Sequence, residues 1–290
     1  MLTKIEAGAP YGIATATDGA IWFTLAHQGC VGRLVPGEEP VIHRLDPADG
    51  LPTVITRGPD DAMWFTEYKG GRISRITADG QLGIHRSSTP YGITAGPDGA
   101  MWFTQLEATK IGRIDPDGSL TEYEVPVEGG MPSFITAGPD NALWFTLNQG
   151  HAIGRISLTG EVTVYPLPTE GAAPVGITLG PDDALWFVEI GAGQIGRIDT
   201  SGRITEYPLP DRTARPHAII TGPDGALWFT EWAANRVGRI TVEGAIEEHP
   251  LPTMPGEGED QGKAEPHGLT VGPDGAIWVA LEAGALARLT

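Results

Sequence analysis

Seven residues stand directly after a proline at one place in a repeated pattern: Tyr11, Thr53, Tyr91, Ser133, Val175, His217 and His267. Two of them, in consecutive repeats, are imidazoles, the side chain that gains and loses a proton near neutral pH. Glu265 lies two residues before His267, and Glu282 lies fifteen after it. Two carboxylates with no cysteine suit a hard cation, Mg²⁺ or Ca²⁺, and leave histidine to act as a base. Whether these four side chains meet depends on what the repeat folds into.

The repeat is carried by a ten-residue stretch, GPDGALWFTE at 222–231, which recurs to give seven copies. Its tryptophan falls at Trp22, Trp64, Trp102, Trp144, Trp186, Trp228 and Trp278, with spacings of 42, 38, 42, 42, 42 and 50 residues. A period of about 40–45 residues is that of a β-propeller blade. Each copy opens on a Gly/Pro/Asp turn and continues into a short apolar run, the pattern of a tight hairpin leading into a strand buried on both faces. A proline lies twelve residues before every tryptophan, from Pro10 to Pro266, and a segment such as IGRI at 111–114 follows nine after it in six copies. In the seventh copy Leu286 follows after eight.

These landmarks predict four strands per unit: in the sixth, a at 217–221, b at 226–231, c at 237–241 and d at 245–249. The expected fold is all-β, a seven-bladed propeller of four antiparallel strands per blade, forming one domain over residues 1–290. The seventh unit reaches strand c at 286–290 without a strand d, and the segment 2–6 has no unit of its own. We expect these two to pair and close the ring, because an open ring leaves unpaired strand edges. Outer strands such as 203–207, followed by Pro208, alternate polar and apolar residues as an exposed edge does.

A closed ring brings the candidate residues together. Residues after the proline landmarks start the innermost strands and line one mouth of the channel, so His217 and His267 face the same space. Strand b runs back antiparallel to a, which returns Glu282 to that mouth beside His267 and Glu265. A lone histidine at a strand start is more often a satisfied polar group; two at equivalent positions, with two carboxylates, point to a site. Glu67, Glu189 and Glu231 also end strand b, so Glu282 by itself reads as rim charge and its candidacy rests on its neighbours. Trp232 follows Glu231 on the same mouth, either as a platform for an apolar ligand or as packing between blades. His27, His43, His85, His151 and His249 fall in outer strands or loops and read as surface residues. Between the sixth and seventh units the register stretches by eight residues, and the Gly, Pro and acidic content of 253–263 predicts a mobile loop beside the site. That segment lacks the alternating ligands of a calcium loop.

Composition narrows the partners. A net charge of −18, with arginines placed singly in strand c, argues against nucleic acid, which needs a basic stripe, and reads as a solvated acidic surface. One cysteine, Cys30, excludes a disulfide framework. No apolar run approaches the roughly 18 residues that span a bilayer, and the start of the chain lacks a signal-peptide profile. The expectation is a cytoplasmic monomer acting on a small molecule.

At the site residues the sequence resembles the streptogramin B lyases. The resemblance covers essentially the whole chain and is most specific at Ala214-Arg215-Pro216-His217-Ala218-Ile219, at Leu227-Trp228-Phe229-Thr230-Glu231-Trp232 and at Ala264-Glu265-Pro266-His267-Gly268. Pro132-Ser133-Phe134-Ile135-Thr136 and the segment at 140–146 share it. It implies a magnesium-dependent lyase that opens the ester of a cyclic depsipeptide antibiotic. It also implies that His267 accepts the proton, Glu265 and Glu282 hold Mg²⁺, His217 binds substrate, and Tyr11 and Trp232 belong to the substrate pocket. Mn²⁺ accepts the same oxygen ligands as Mg²⁺. A metal-dependent lactonase or ester hydrolase, and a non-catalytic propeller that binds its ligand at the mouth, are the alternatives.

Overall fold

The computed structural model describes residues 1–253 and 262–289, which form seven four-stranded antiparallel sheets arranged as a ring. Blade 1 consists of strands a to d at Pro10–Thr15, Ile21–Leu25, Cys30–Leu34 and Val41–Arg44. In blade 6 they run Pro216–Thr221, Leu227–Glu231, Arg236–Ile240 and Ile246–Pro250, within one residue of expectation. Strand a of each blade packs on strand a of the next, and the first also packs on the last.

Blade 7 holds Pro266–Val271, Ile277–Leu281 and Ala285–Leu289, and its outer strand is Leu2–Lys4, with Leu2 opposite Ala287 and Lys4 opposite Ala285. The N-terminal segment therefore closes the ring, over 2–4 rather than 2–6. The loop expected at 253–263 lies, apart from its ends, outside the described residues.

Two contacts each recur in five of the seven blades. The turn aspartate between strands a and b takes the indole N–H of the strand b tryptophan on one oxygen and an arginine of strand c on the other. In blade 5, Trp186 Nε1 donates to Asp182 at 2.9 Å and Arg197 Nε donates at 2.7 Å. Burial alone would raise the Asp182 pKa, but these two hydrogen bonds outweigh it and hold the carboxyl below its ordinary value. The second contact explains the glycine in strand c: a Cβ at Gly112 would sit 2.0 Å from the Phe103 ring, so glycine lets the phenylalanine lie flat on the neighbouring strand. Both contacts are scaffold, which leaves the mouth residues free to differ.

Candidate active site

A threonine hydroxyl from the preceding blade positions most residues that start a strand a. Thr230 Oγ1 donates to the His267 carbonyl at 2.9 Å. Equivalent bonds from Thr24, Thr66, Thr104 and Thr146 hold the carbonyls of Thr53 at 2.7 Å, Tyr91 at 2.6 Å, Ser133 at 2.6 Å and Val175 at 2.7 Å. Blades 5 and 7 carry Val188 and Ala280 at the threonine position, so His217 and Tyr11 have no such clamp.

The structure brings His217, His267, Glu282, Tyr11 and Trp232 to one mouth. His267 Nε2 and Glu282 Oε2 are 2.7 Å apart. The hydrogen bond from His267 holds the Glu282 carboxyl below its ordinary pKa, against the opposing effect of burial, with a further contribution from His27. An ionised carboxylate only accepts, so in this pair Nε2 donates and Nδ1 is the nitrogen left unengaged. That nitrogen is buried with no hydrogen-bond partner, as is Nδ1 of His217. The two imidazoles meet edge to face with centroids 4.9 Å apart. Tyr11 lies 4.4 Å from His267 and 6.0 Å from His217. Desolvation, with the neighbouring His267 working in the same direction, depresses the His217 pKa to about 3, so this ring is neutral at pH 7.

Glu282 is not the counterpart of the other strand b glutamates. Glu67, Glu189 and Glu231 stand three residues after their tryptophans, are at most 1% exposed and point between sheets, where they meet Arg72, Gln194 and Arg236. Glu282 stands four residues after Trp278, one place beyond the end of strand b. That single step carries Glu282 out of the strand and into the turn at the mouth. Its positional equivalents are Tyr68 and Trp232.

Glu265 is placed by a backbone bond: the Glu282 N–H donates to its carbonyl at 3.1 Å. In blade 6 the same bond joins Trp232 to Arg215 at 3.2 Å, and there the Arg215 guanidinium lies 6.0 Å over the Trp232 ring. Side chains at these two positions can therefore meet, and in blade 7 both are carboxylates. Glu265 has φ of 48°, but Leu51, Thr89, Met131, Ala173 and Arg215 share this left-handed conformation before their prolines, so it belongs to the scaffold. Among the described residues no group of three or more His, Cys, Asp or Glu is arranged to hold a metal ion. Mg²⁺ characteristically keeps several waters and takes only one or two carboxylates.

The five histidines expected at the surface all have partners. His27 Nε2 lies 3.1 Å from Glu282 Oε1, reaching the site from blade 1 on the short helix Ala26–Gln28. Its position five residues after Trp22, beside the blade that closes the ring, was the available signal. His43, His85 and His249 stack on Trp22, Trp64 and Trp228, and His151 Nδ1 accepts the Ala173 N–H at 3.1 Å. Trp232 stands 6.3 Å from His267, and its indole N–H is buried without a partner. Sequence reasoning set Tyr91 at this mouth and Phe134 in a segment of resemblance, but gave neither a role. The Tyr91 hydroxyl is 2.8 Å from that of Tyr11, and the Phe134 ring is edge-on to His217 at 6.1 Å.

Fold and mouth together define a seven-bladed propeller with a histidine–carboxylate site at one end of its channel. The chain belongs to the Virginiamycin B lyase family, matched over residues 2–289. A virginiamycin B lyase of Nocardia farcinica is 49% identical over 85 residues, which are 29% of this chain and 30% of that protein's own length. A solved structure of virginiamycin B lyase from Staphylococcus aureus is 43% identical, with a TM-score of 0.92, covering 100% of this chain and 98% of that one. Another structure of the S. aureus enzyme, a catalytically inactive histidine-to-alanine variant with quinupristin, is 42% identical with a TM-score of 0.93 and covers 100% and 98% of the two chains.

Proposed function

We propose that this protein is a magnesium-dependent lyase that linearises streptogramin B-type cyclic depsipeptides by eliminative cleavage of their ester. The observation that carries this reading is the His267–Glu282 pair at the channel mouth, with Glu265 on the adjacent segment. Family membership supports the substrate class, and the inactivity of the histidine-to-alanine neighbour supports a histidine base.

In such a substrate the ester oxygen is carried on the β-carbon of a threonine, and the α-hydrogen is acidified by the adjacent carbonyl. His267 is the group that takes this hydrogen. The C–H electron pair becomes the Cα=Cβ double bond while the Cβ–O bond breaks, and the carboxylate leaves with the oxygen. The ring opens to a dehydrated residue with no water consumed. Neutral His217 hydrogen-bonds the substrate, and Tyr11 and Trp232 pack against its apolar parts. Glu265 and Glu282 would hold Mg²⁺, or Mn²⁺ by the same oxygen chemistry, which when bound supplies Lewis-acid stabilisation of a developing enolate. Every group named comes from one chain, which suits a monomer, and a lone buried cysteine suits a reducing, cytoplasmic compartment.

Incubation with a streptogramin B in ¹⁸O-labelled water tests the reading. Elimination gives a product of unchanged mass without label; a product heavier by one water would establish hydrolysis instead, and no turnover with metal bound would leave a ligand-binding propeller.

A further inference from the structure

We propose that Tyr91 is a positioning residue that sets the plane of the His267 imidazole through Tyr11. The inference rests on His267 being the base of the proposed elimination. Five rings from blades 7, 1, 3, 4 and 6 form a closed circuit across the channel mouth. His267 meets Tyr11 at 4.4 Å, and the Tyr11 and Tyr91 hydroxyls are 2.8 Å apart. Tyr91 meets Phe134 edge-on at 5.6 Å, Phe134 meets His217 at 6.1 Å, and His217 returns to His267 at 4.9 Å. The Tyr11–Tyr91 hydrogen bond is the polar link in this circuit.

The broken clamps give that link its role. Tyr11 and His217 follow Ala280 and Val188, so neither backbone is held by the threonine hydroxyl found elsewhere. Tyr91 is held: Thr66 Oγ1 donates to its carbonyl at 2.6 Å. Its ring is further flanked edge-on by Tyr68 at 6.2 Å, whose own hydroxyl donates to Glu107 at 2.6 Å. An anchored tyrosine thus reaches across the channel to an unclamped one.

The imidazole needs such support. Catalytic histidines commonly have their second ring nitrogen hydrogen-bonded, which fixes ring orientation. In His267 that bond is the one from Nε2 to Glu282, and Nδ1, the nitrogen left to take a proton, has no partner. Glu282 fixes one nitrogen but leaves the ring able to turn about that bond, and the Tyr11 face, tilted 31° to it, is the surface that stops the turn.

The test compares Tyr91→Phe, Tyr11→Phe and the double variant in the full-length, metal-loaded protein. Measured quantities are kcat, KM, the isotope effect with substrate deuterated at the α-carbon, and the imidazole C–H resonances of His267 without substrate, assigned by their loss in His267→Ala. Removing the Tyr91 hydroxyl is expected to lower kcat roughly 10- to 100-fold through misplacement of the base, with KM within about twofold of the native value. The isotope effect should grow and the His267 resonances should shift. The double variant should fall no further than Tyr11→Phe. Native kcat with unmoved resonances would overturn the proposal, and so would a change in KM alone, which would make Tyr91 a substrate contact. If the native protein shows no isotope effect, or gives a product heavier by one water, elimination fails; the resonances, read without substrate, still decide the role of Tyr91.

Discussion

Glutamates of blades 2, 5 and 6 and the glutamate of blade 7 differ by one residue in their distance from the repeat tryptophan, and that residue separates scaffold from site. Glu67, Glu189 and Glu231 turn inward between sheets, and burial pushes the Glu189 carboxyl up to about 8 and that of Glu231 to about 7. Glu282 turns to the mouth and is held ionised by His267. The same side chain is thus buried between sheets in one position and presented at the mouth in the next. The strand end makes this difference: Glu67, Glu189 and Glu231 are the last residues of their strands, and Glu282 is the first residue of the turn beyond.

If the comparison is right, variants at the mouth should lose activity and keep stability, and variants at the inner carboxylates should do the reverse. The largest effect is expected for His267→Ala: turnover falls about 10²–10⁴-fold, as for loss of a general base, with an unchanged melting temperature. Glu282→Gln should lose turnover in the same way, and a chelator should suppress the native activity. Native turnover in either variant would end the assignment. Arg72→Ala should cost about 3–5 kcal/mol in denaturant unfolding, since Glu67 is 1% exposed and would be left uncompensated, while the folded fraction keeps its activity.

Ala280→Thr sharpens the contrast between clamped and unclamped mouth residues. It supplies the missing hydroxyl to the Tyr11 carbonyl and should add about 1 kcal/mol of stability, read as a raised denaturation midpoint; an unchanged midpoint would show that the broken clamp has no energetic meaning. A separate effect is the pH dependence of Glu189→Gln. The folded-state pKa of about 8 lies above the unfolded value of about 4.3. The folded chain keeps a proton that the unfolded chain releases, so this group makes stability fall as pH rises between those values. The glutamine variant should match the native protein near pH 4 and exceed it at pH 8; parallel stability curves would contradict the raised pKa.

Much of this was legible in the residues. The tryptophan spacing fixes the blade count, because each period is one supersecondary unit that cannot bury its own faces alone. Convergence of His217, His267 and Glu282 followed from strand direction. The extra step that takes Glu282 past the strand end was also available, by counting from Trp278, but grouping it with the other strand b glutamates obscured it. His27 and Tyr91 were harder: each lies in an ordinary stretch of repeat and gains its meaning from a residue 255 or 80 positions away.

The sequence by itself determined the seven hairpins, the closing of the ring and the mouth on which the candidate residues stand, because these depend on local periodicity and turn chemistry. Only the tertiary structure decided which mouth residues touch. Closing seven blades into a ring sets Tyr91 opposite Tyr11 and His27 beside Glu282, and those contacts depend on the curvature of the whole ring, which no single blade encodes.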